Sequence, residues 1–491
     1  MKNNFIKNTF MLTAVSLGLR AVGISFNVYV AGKIGASGMG LFSIVMSVYN
    51  FGVTFACSGI NLASTKIVSE EIASGNELGI KQTVKRSLLY SLIFGNLAFL
   101  LIFFGAPLAS NAILGDERCI KPLMILSVSL PCVSMSSAIY GYFNAVGRIY
   151  KGAVIQVLEQ ILRISACVLL LSNLSGNDAE SACIAVVISG CVAEIVSFLL
   201  IYAVYKQDSS LYSQKGRGER LTKRIAGVGL PIAVSSYIRS GLSTVEHSMI
   251  PKGLKKYGKS AKDALSAYGT VHGMVLPLIF FPSSILQAFS SLLVPEFTKF
   301  AKCGKTKSIS ALIEKSLSVT LTFSIGISGI MFFFSDEIGM AVYKNAEVSY
   351  FLKILAPLVA VMYADGVVDA ILKGLNQQVY SMGYNIIDSA LAIILLLFLL
   401  TQKGIEGYII TIYITEMVNA FLSINRLIYI ADFKIKPLRW TVFPYITVLS
   451  SSIFVKSFWG EKNMISAVTA LLIYSAIIIV FSDTKRYSAD I

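Results

Sequence analysis

An all-α, polytopic membrane fold with about fourteen transmembrane helices is predicted, on three observations. Of 491 residues, 55% are hydrophobic and only 14% are charged, where a soluble domain carries about 25% charged residues to cover its surface. Mean hydropathy is +0.71. Apolar runs near the 20 residues that a helix needs to cross a bilayer recur along the whole chain. None shows the period-two alternation of a membrane β-barrel.

The runs fall near 9–31, 41–64, 86–109, 121–143, 152–173, 180–205, 225–250, 265–294, 309–335, 348–372, 379–401, 405–430, 438–459 and 463–482. The first follows Lys2 and Lys7 but continues past signal-peptide length, contains Arg20 and offers no small-residue cleavage site, so it reads as a retained helix. Placing the N-terminus in the cytoplasm puts the larger share of Lys and Arg in cytoplasmic connectors, with Arg20, Arg163, Arg239 and Lys353 inside helices. Both termini are then cytoplasmic. One outward connector dissents, since it holds Lys252, Lys255, Lys256, Lys259 and Lys262.

The longest basic connector carries Lys206, Lys215, Arg217, Arg220, Lys223 and Arg224 against Asp208 and Glu219. It marks a boundary between two lobes. Ala14-Val15-Ser16 and Arg20 align with Ala233-Val234-Ser235 and Arg239. Beyond the lysine-rich loop a second constant offset aligns Gly40 with Gly269, Arg86-Ser87-Leu88 with Lys315-Ser316-Leu317, and Glu159 with Asp388. The organisation read from this is a six-helix lobe at 1–206, a basic cytoplasmic linker at 207–224, a second six-helix lobe at 225–434, and a helix pair with a cytoplasmic tail at 435–491. Six is even, so both lobes enter the membrane from one side and the repeat is parallel.

Net charge is +15, yet the basic residues sit in short connectors between apolar runs. Anionic lipid headgroups are therefore the expected partner, and nucleic acid is not. Cysteines 57, 119, 132, 167, 183, 191 and 303 have no ligand or redox spacing and read as small core hydrophobes. With only His247 and His272, no metal site and no cofactor is expected. Gly253-Leu254-Lys255-Lys256-Tyr257-Gly258-Lys259-Ser260 fits the phosphate-loop pattern G-x-x-x-x-G-K-S, which works only between a strand and a helix. Between two membrane helices it reads as a basic turn, with no nucleotide bound. No Ser/His/Asp or Cys/His grouping stands in a coherent place, so the chain reads as non-enzymatic.

The charges inside spans carry the chemistry. Arg20 and Arg239 lie mid-helix in repeat-equivalent spans. An arginine near the bilayer centre costs at least ~2.5 to 3.5 kcal/mol, so each faces a cavity or a partner. Two readings stay open: structural bridges to Glu194, Glu246 or Glu416, or two fixed cations aimed at one anionic substrate, whose phosphate oxygens suit the guanidinium fork. Glu246 lies two turns beyond Arg239 on nearly the same face, beside His247, with His272 at the start of the eighth span. Glu159 and Arg163 are spaced i, i+4 and read as a structural ion pair. Their repeat mates are Asp388 and Ala392, so Asp388 lacks that internal partner. With Asn385 one turn before it, it is a candidate for coupling to Na⁺ or a proton.

Certain local patterns resemble a family. They are Phe5-Ile6-Lys7, Arg20-Ala21-Val22-Gly23, Ile34-Gly35-Ala36-Ser37-Gly38-Met39-Gly40-Leu41-Phe42, Gly59-Ile60, Lys66-Ile67-Val68-Ser69-Glu70, Ile250-Pro251, Tyr268-Gly269, Gly273-Met274-Val275-Leu276-Pro277 and Leu293-Val294-Pro295-Glu296. Together they are similar to the stage V sporulation protein B and polysaccharide-flippase branch of the multidrug/oligosaccharidyl-lipid/polysaccharide exporters, over nearly the whole chain. The resemblance implies two lobes in a V around a cavity walled by the first, second, seventh and eighth spans. The last helix pair would border a groove for a lipid tail. It implies a monomeric flippase of a lipid-linked oligosaccharide, a peptidoglycan or other polysaccharide precursor, in a bacterial-type cytoplasmic membrane. Arg20, Arg239, Asn27, Glu246 and His272 would bind the substrate. Relatives often have a second arginine where Asn27 stands, which leaves room for a different glycolipid. The alternative is a cation-coupled exporter of small amphipathic compounds.

Overall fold

The computed structural model describes residues 2–173, 179–210, 221–458 and 464–487, so most of the 207–224 linker, residues 459–463 and the last four residues lie outside the described part. Every regular element among the described residues is helical: α1 (Lys2–Cys57), α2 (Ile60–Ala73), α3 (Glu77–Leu108), α4 (Ile120–Ser127), α5 (Leu130–Ala145), α6 (Ile149–Asn173), α7 (Ala179–Ser209), α8 (Leu221–Lys256), α9 (Ala261–Tyr268), α10 (Leu276–Lys302), α11 (Thr306–Phe333), α12 (Ser335–Tyr343), α13 (Ala346–Leu355), α14 (Val359–Gly374), α15 (Gln378–Lys403), α16 (Ile405–Ile430), α17 (Phe443–Phe458) and α18 (Met464–Tyr487). Ten stretches are long and apolar enough to cross a membrane, or twelve when each bent helix pair is one span. Two of the fourteen apolar runs share one stretch, Gly18–Ala73, and the last lies on the shorter apolar helix Met464–Ile479. Gly35, at φ 68° and ψ 178°, breaks α1 between the first two runs. That left-handed φ suits a residue without Cβ.

By packing, the chain divides into two compact units, Met1–Gly269 and Thr270–Ile491. Helix α8 opens the second half of the sequence repeat, yet it packs with the first unit, on α1, α2 and α3. Leu221 and Ile225 of α8 join a buried cluster with Ile60, Ala63, Ile67, Tyr90 and Ala138. A second cluster, including Val68, Val84, Ile139, Tyr142, Phe143 and Ile201, holds α2, α3, α5 and α7 together.

Lipid tails are as apolar as leucine, so membrane helices associate through close packing over small residues rather than through hydrophobic transfer. The first unit follows this rule. A Cβ on Gly141 would strike the backbone of Asn61, and one on Gly95 would strike Pro131. Gly40 and Gly269, equivalent in the sequence repeat, lie against each other. A Cβ on Gly40 would meet the carbonyl of Leu265, and one on Gly269 would meet Ala36 and the backbone of Gly40 itself.

Helix α8 is also tied at both ends. At its start Arg224 bridges Glu71 and Glu70 at the end of α2, each at 2.8 Å, and Asn76 Nδ2 donates to Glu71 at 2.7 Å. At its other end the lysines that dissent from the charge rule find a use. Lys252 donates to Ala112 O, and Lys255 donates to Gly115 O at 2.8 Å. These carbonyls close the helical stretch that follows α3, where cations complement the negative end of the dipole. Asp116 sits beside them. Burial alone would push its carboxyl up, but hydrogen bonds from the Arg118 side chain and backbone, with the Lys255 charge, hold it below the usual carboxylate range. The phosphate-loop pattern falls on the last turn of α8 and the connector after it, where Ser260 Oγ accepts from Asp263 N at 3.1 Å to cap α9. It follows a helix, not a strand.

In the second unit α10 and α11 pack on α14, and α15 pairs with α16. The last helix pair docks on α11 through a small-residue face. A Cβ on Gly326 would press into Tyr474 and one on Gly329 into Val448, and Tyr474 OH donates to Thr322 O at 2.5 Å. Phe334, Val455 and Ala470 complete that buried seam. Large apolar side chains such as Phe104, Leu169, Phe398 and Phe421 remain exposed, as lipid-facing positions require. Among the described cysteines, Cys119, Cys167, Cys183 and Cys191 are buried and Cys303 is exposed.

Candidate functional site

The sequence-selected charges fall into separate groups. In the first unit Arg163 of α6 pairs with Glu159, one turn earlier, at 2.8 Å and reaches Glu194 of α7 at 3.6 Å. Ser197 Oγ donates to the second Glu159 oxygen at 2.9 Å, and Tyr49 OH of α1 donates to Glu194 at 2.5 Å while meeting Ser129 Oγ at 2.7 Å. The group therefore holds two carboxylates around one guanidinium, knitted by a serine and a tyrosine from other helices. Arg163, Glu194, Tyr49 and Asn27 line one cavity of about 250 Å³, with Gln160, Phe26, Phe42, Met39 and Met46 among its other walls. Methionine suits a wall that must fit more than one shape.

Arg20 on α1 and Arg239 on α8 are both exposed, and Glu246 and His247 on α8 are half-buried. The His247 ring lies 6.3 Å from that of Tyr268. His272 stands half-buried in the π-helical turn Gly269–Val275.

The second unit gathers carboxylates and amides from α14, α15 and α16. Asn419 Nδ2 donates to Asp365 at 2.9 Å. Asp369 accepts from Ser381 Oγ and lies 3.5 Å from Lys373. Asn385 spends its amide on Ser381 O of its own helix, at 2.8 Å, and Asp388 is half-buried one turn on, within electrostatic reach of Asp365. Among the described residues no group of three or more His, Cys, Asp or Glu is arranged to hold a metal ion. Nearby, Arg426 of α16 stacks on the Tyr380 ring at 3.6 Å and donates to Gln377 Oε1 at 2.6 Å, fastening α16 to α15.

A second cavity, of about 400 Å³, lies between α10 and α14. Serines, Gln287, Asp369 and Lys373 line it beside Phe280 and Tyr363. The sequence reading missed it, because its two sides come from helices about 80 positions apart in the chain.

The family model described as "Polysaccharide biosynthesis protein" matches residues 5–300. The chain belongs to this polysaccharide biosynthesis family. Stage V sporulation protein B of Bacillus subtilis (strain 168) is 26% identical over 99% of this chain and 97% of its own length. Lipid II flippase MurJ of the same organism is 24% identical over 87% of this chain and 83% of its own. The probable low-salt glycan biosynthesis flippase Agl15 of Haloferax volcanii is 23% identical over 96% and 91%. Among solved structures, lipid II flippase MurJ in an inward closed conformation superposes with a TM-score of 0.75, covering 97% of this chain and 99% of that one at 14% identity. An inward-facing multidrug resistance MATE family transporter gives 0.62 at 15% identity, covering 84% of this chain and 96% of that one. These likenesses establish the fold: this member of the polysaccharide biosynthesis family is a multi-pass, all-helical membrane protein.

Proposed function

We propose that the protein is a flippase that moves a lipid-linked oligosaccharide across the cytoplasmic membrane by alternating access, and that it is not an enzyme. The observation that carries this reading is the end-to-end match. Relatives named as a lipid II flippase and as a probable glycan biosynthesis flippase align over most of their length, and the fold likeness to MurJ takes in nearly the whole chain. The multidrug transporter leaves about a sixth of this chain unmatched. A helix pair beyond the twelve of two six-helix lobes, docked on α11, fits a carrier with a lipid tail to accommodate.

In this reading Arg20 and Arg239 grip the pyrophosphate, with Asn27, Glu246 and His272 completing the substrate contacts. Exposed guanidiniums within apolar spans are expensive against lipid, so water or an anionic headgroup is their fitting surroundings. Asp388 with Asn385 serves Na⁺ or proton coupling. Both termini are cytoplasmic, the basic connectors meet anionic lipid, and the protein works as a monomer. Cation-coupled export of small amphipathic compounds is the competing reading, favoured by the MATE likeness and by the apolar, methionine-lined cavity beside Arg163.

Depletion of the protein in its native host tests the proposal. An undecaprenyl-linked glycan precursor is expected to accumulate on the inner leaflet, measured by lipid extraction and mass spectrometry with leaflet-selective labelling. Unchanged precursor pools, with a small amphipathic dye retained in the cell instead, would favour the competing reading.

A further inference from the structure

The cavity between α10 and α14 is built rather than left over. The two helices touch at both of its ends. At one end Tyr363 OH donates to Ile279 O. At the other, Thr298 Oγ1 donates to Gly374 O at 3.0 Å, and a Cβ on Gly374 would press on Phe297 and Val294. Between these contacts lies the cavity. Pro282 and Pro295 bracket that stretch of α10, and a proline inside a helix withholds one backbone hydrogen bond and bends the axis. Opposite them Gly366 lines the gap, and a Cβ there would meet nothing within 4 Å.

Both sides contribute polar groups to a lining that also carries Leu286, Val294, Met362 and Val367. Ser283, Gln287, Ser290 and Ser291 recur at helical spacing on one face of α10, while the exposed Phe281, Ile285 and Leu292 share the opposite face. Across the gap Gly366, Asp369 and Lys373 form a matching stripe on α14. A polar stripe deep in a membrane span is kept only where it faces water, protein or a polar ligand. Asp369 and Lys373 are 3.5 Å apart, so their charges offset and the cavity carries no net charge from this pair. Ser283 and Ser291 donate to carbonyls three residues back, each at 2.7 Å, which leaves their oxygens as acceptors. Donors and acceptors in a neutral cleft, beside the half-exposed ring of Phe280, suit the hydroxyls and ring face of a sugar better than a phosphate. At about 400 Å³ the space lies within the usual ~300 to 1,000 Å³ of small-ligand sites.

We infer that this cavity in the second unit is a glycan-reading subsite, in which Gln287, Ser290, Ser291 and Asp369 hydrogen-bond the sugar portion of the substrate. The inference rests on the flippase reading and concerns the second unit alone. The test uses the full chain in lipid nanodiscs and two probes, undecaprenyl pyrophosphate and undecaprenyl pyrophosphate carrying a disaccharide. The unaltered protein should bind the disaccharide-bearing probe roughly tenfold tighter, the scale of one or two net hydrogen bonds. Gln287→Leu removes the amide, and Gly366→Leu fills the open space while improving helix propensity. Each should bring the ratio of the two affinities to about one and leave binding of the bare carrier as it was. A preference that survives both substitutions, an equal loss for both probes, or no preference in the unaltered protein would overturn the subsite alone. Failure of the unaltered protein to bind either probe would overturn the flippase reading, and the subsite with it.

Discussion

Arg163→Ala is expected to strip most of the protein from the membrane. Arg163 is the cation between Glu159 and Glu194, whose side chains are only 23% and 18% exposed. Removing it leaves two largely buried carboxylates without the cation they share. Breaking a buried pair by deleting one partner costs about 3 to 5 kcal/mol, a large share of a total stability of about 5 to 15 kcal/mol. The companion triple variant Arg163→Ala, Glu159→Gln, Glu194→Gln removes the uncompensated charge and should recover abundance, because Ser197 and Tyr49 still find acceptors on the amides. Immunoblots of membrane fractions, with thermal midpoints in detergent, measure both. Normal abundance of the single variant would mean that the carboxylates are not held by this arginine.

Arg20 and Arg239 should behave in the opposite way, with activity lost and abundance kept. Both are exposed on their helices, so substrate and water can reach them. If they grip a pyrophosphate, lysine at either position keeps the charge but loses the bidentate fork, and flipping should fall in part. Alanine or glutamate should abolish it. Precursor flipping measured beside membrane abundance separates this from a structural role. Normal flipping by the Arg20→Ala, Arg239→Ala double variant at normal abundance would remove both arginines from the substrate site.

What the sequence disclosed and what it hid follow from the range of each interaction. Among the described residues the apolar runs fall on helices or on consecutive helices, because hydropathy over about 20 residues is a local property fixed by bilayer thickness. The Glu159–Arg163 spacing was readable for the same reason, since i, i+4 neighbours meet on any helix. Tyr49 and Ser197, by contrast, reach these charges from other helices, Tyr49 across 145 positions to Glu194, and nothing in their surroundings in the chain marks them. The repeat singled out Gly40 and Gly269 as equivalents, but only packing brings the two together. The lysines after α8 depart from the charge rule in the expected topology, and their use lies in tertiary contacts that no charge count shows, with Lys252 and Lys255 on the carbonyls of Ala112 and Gly115. Gln287 and its serines form a stripe at helical spacing, yet only the facing residues of α14 make it a cavity.

The most direct measurement of the central claim is translocation by the purified protein in sealed vesicles. An undecaprenyl-linked oligosaccharide is placed in one leaflet, and its arrival in the other is followed with an impermeant sugar-modifying reagent. The account predicts protein-dependent transfer that is lost in the Arg20→Ala, Arg239→Ala double variant. Transfer no faster than in protein-free vesicles, under conditions where the same preparation exports a small amphipathic cation, would contradict it.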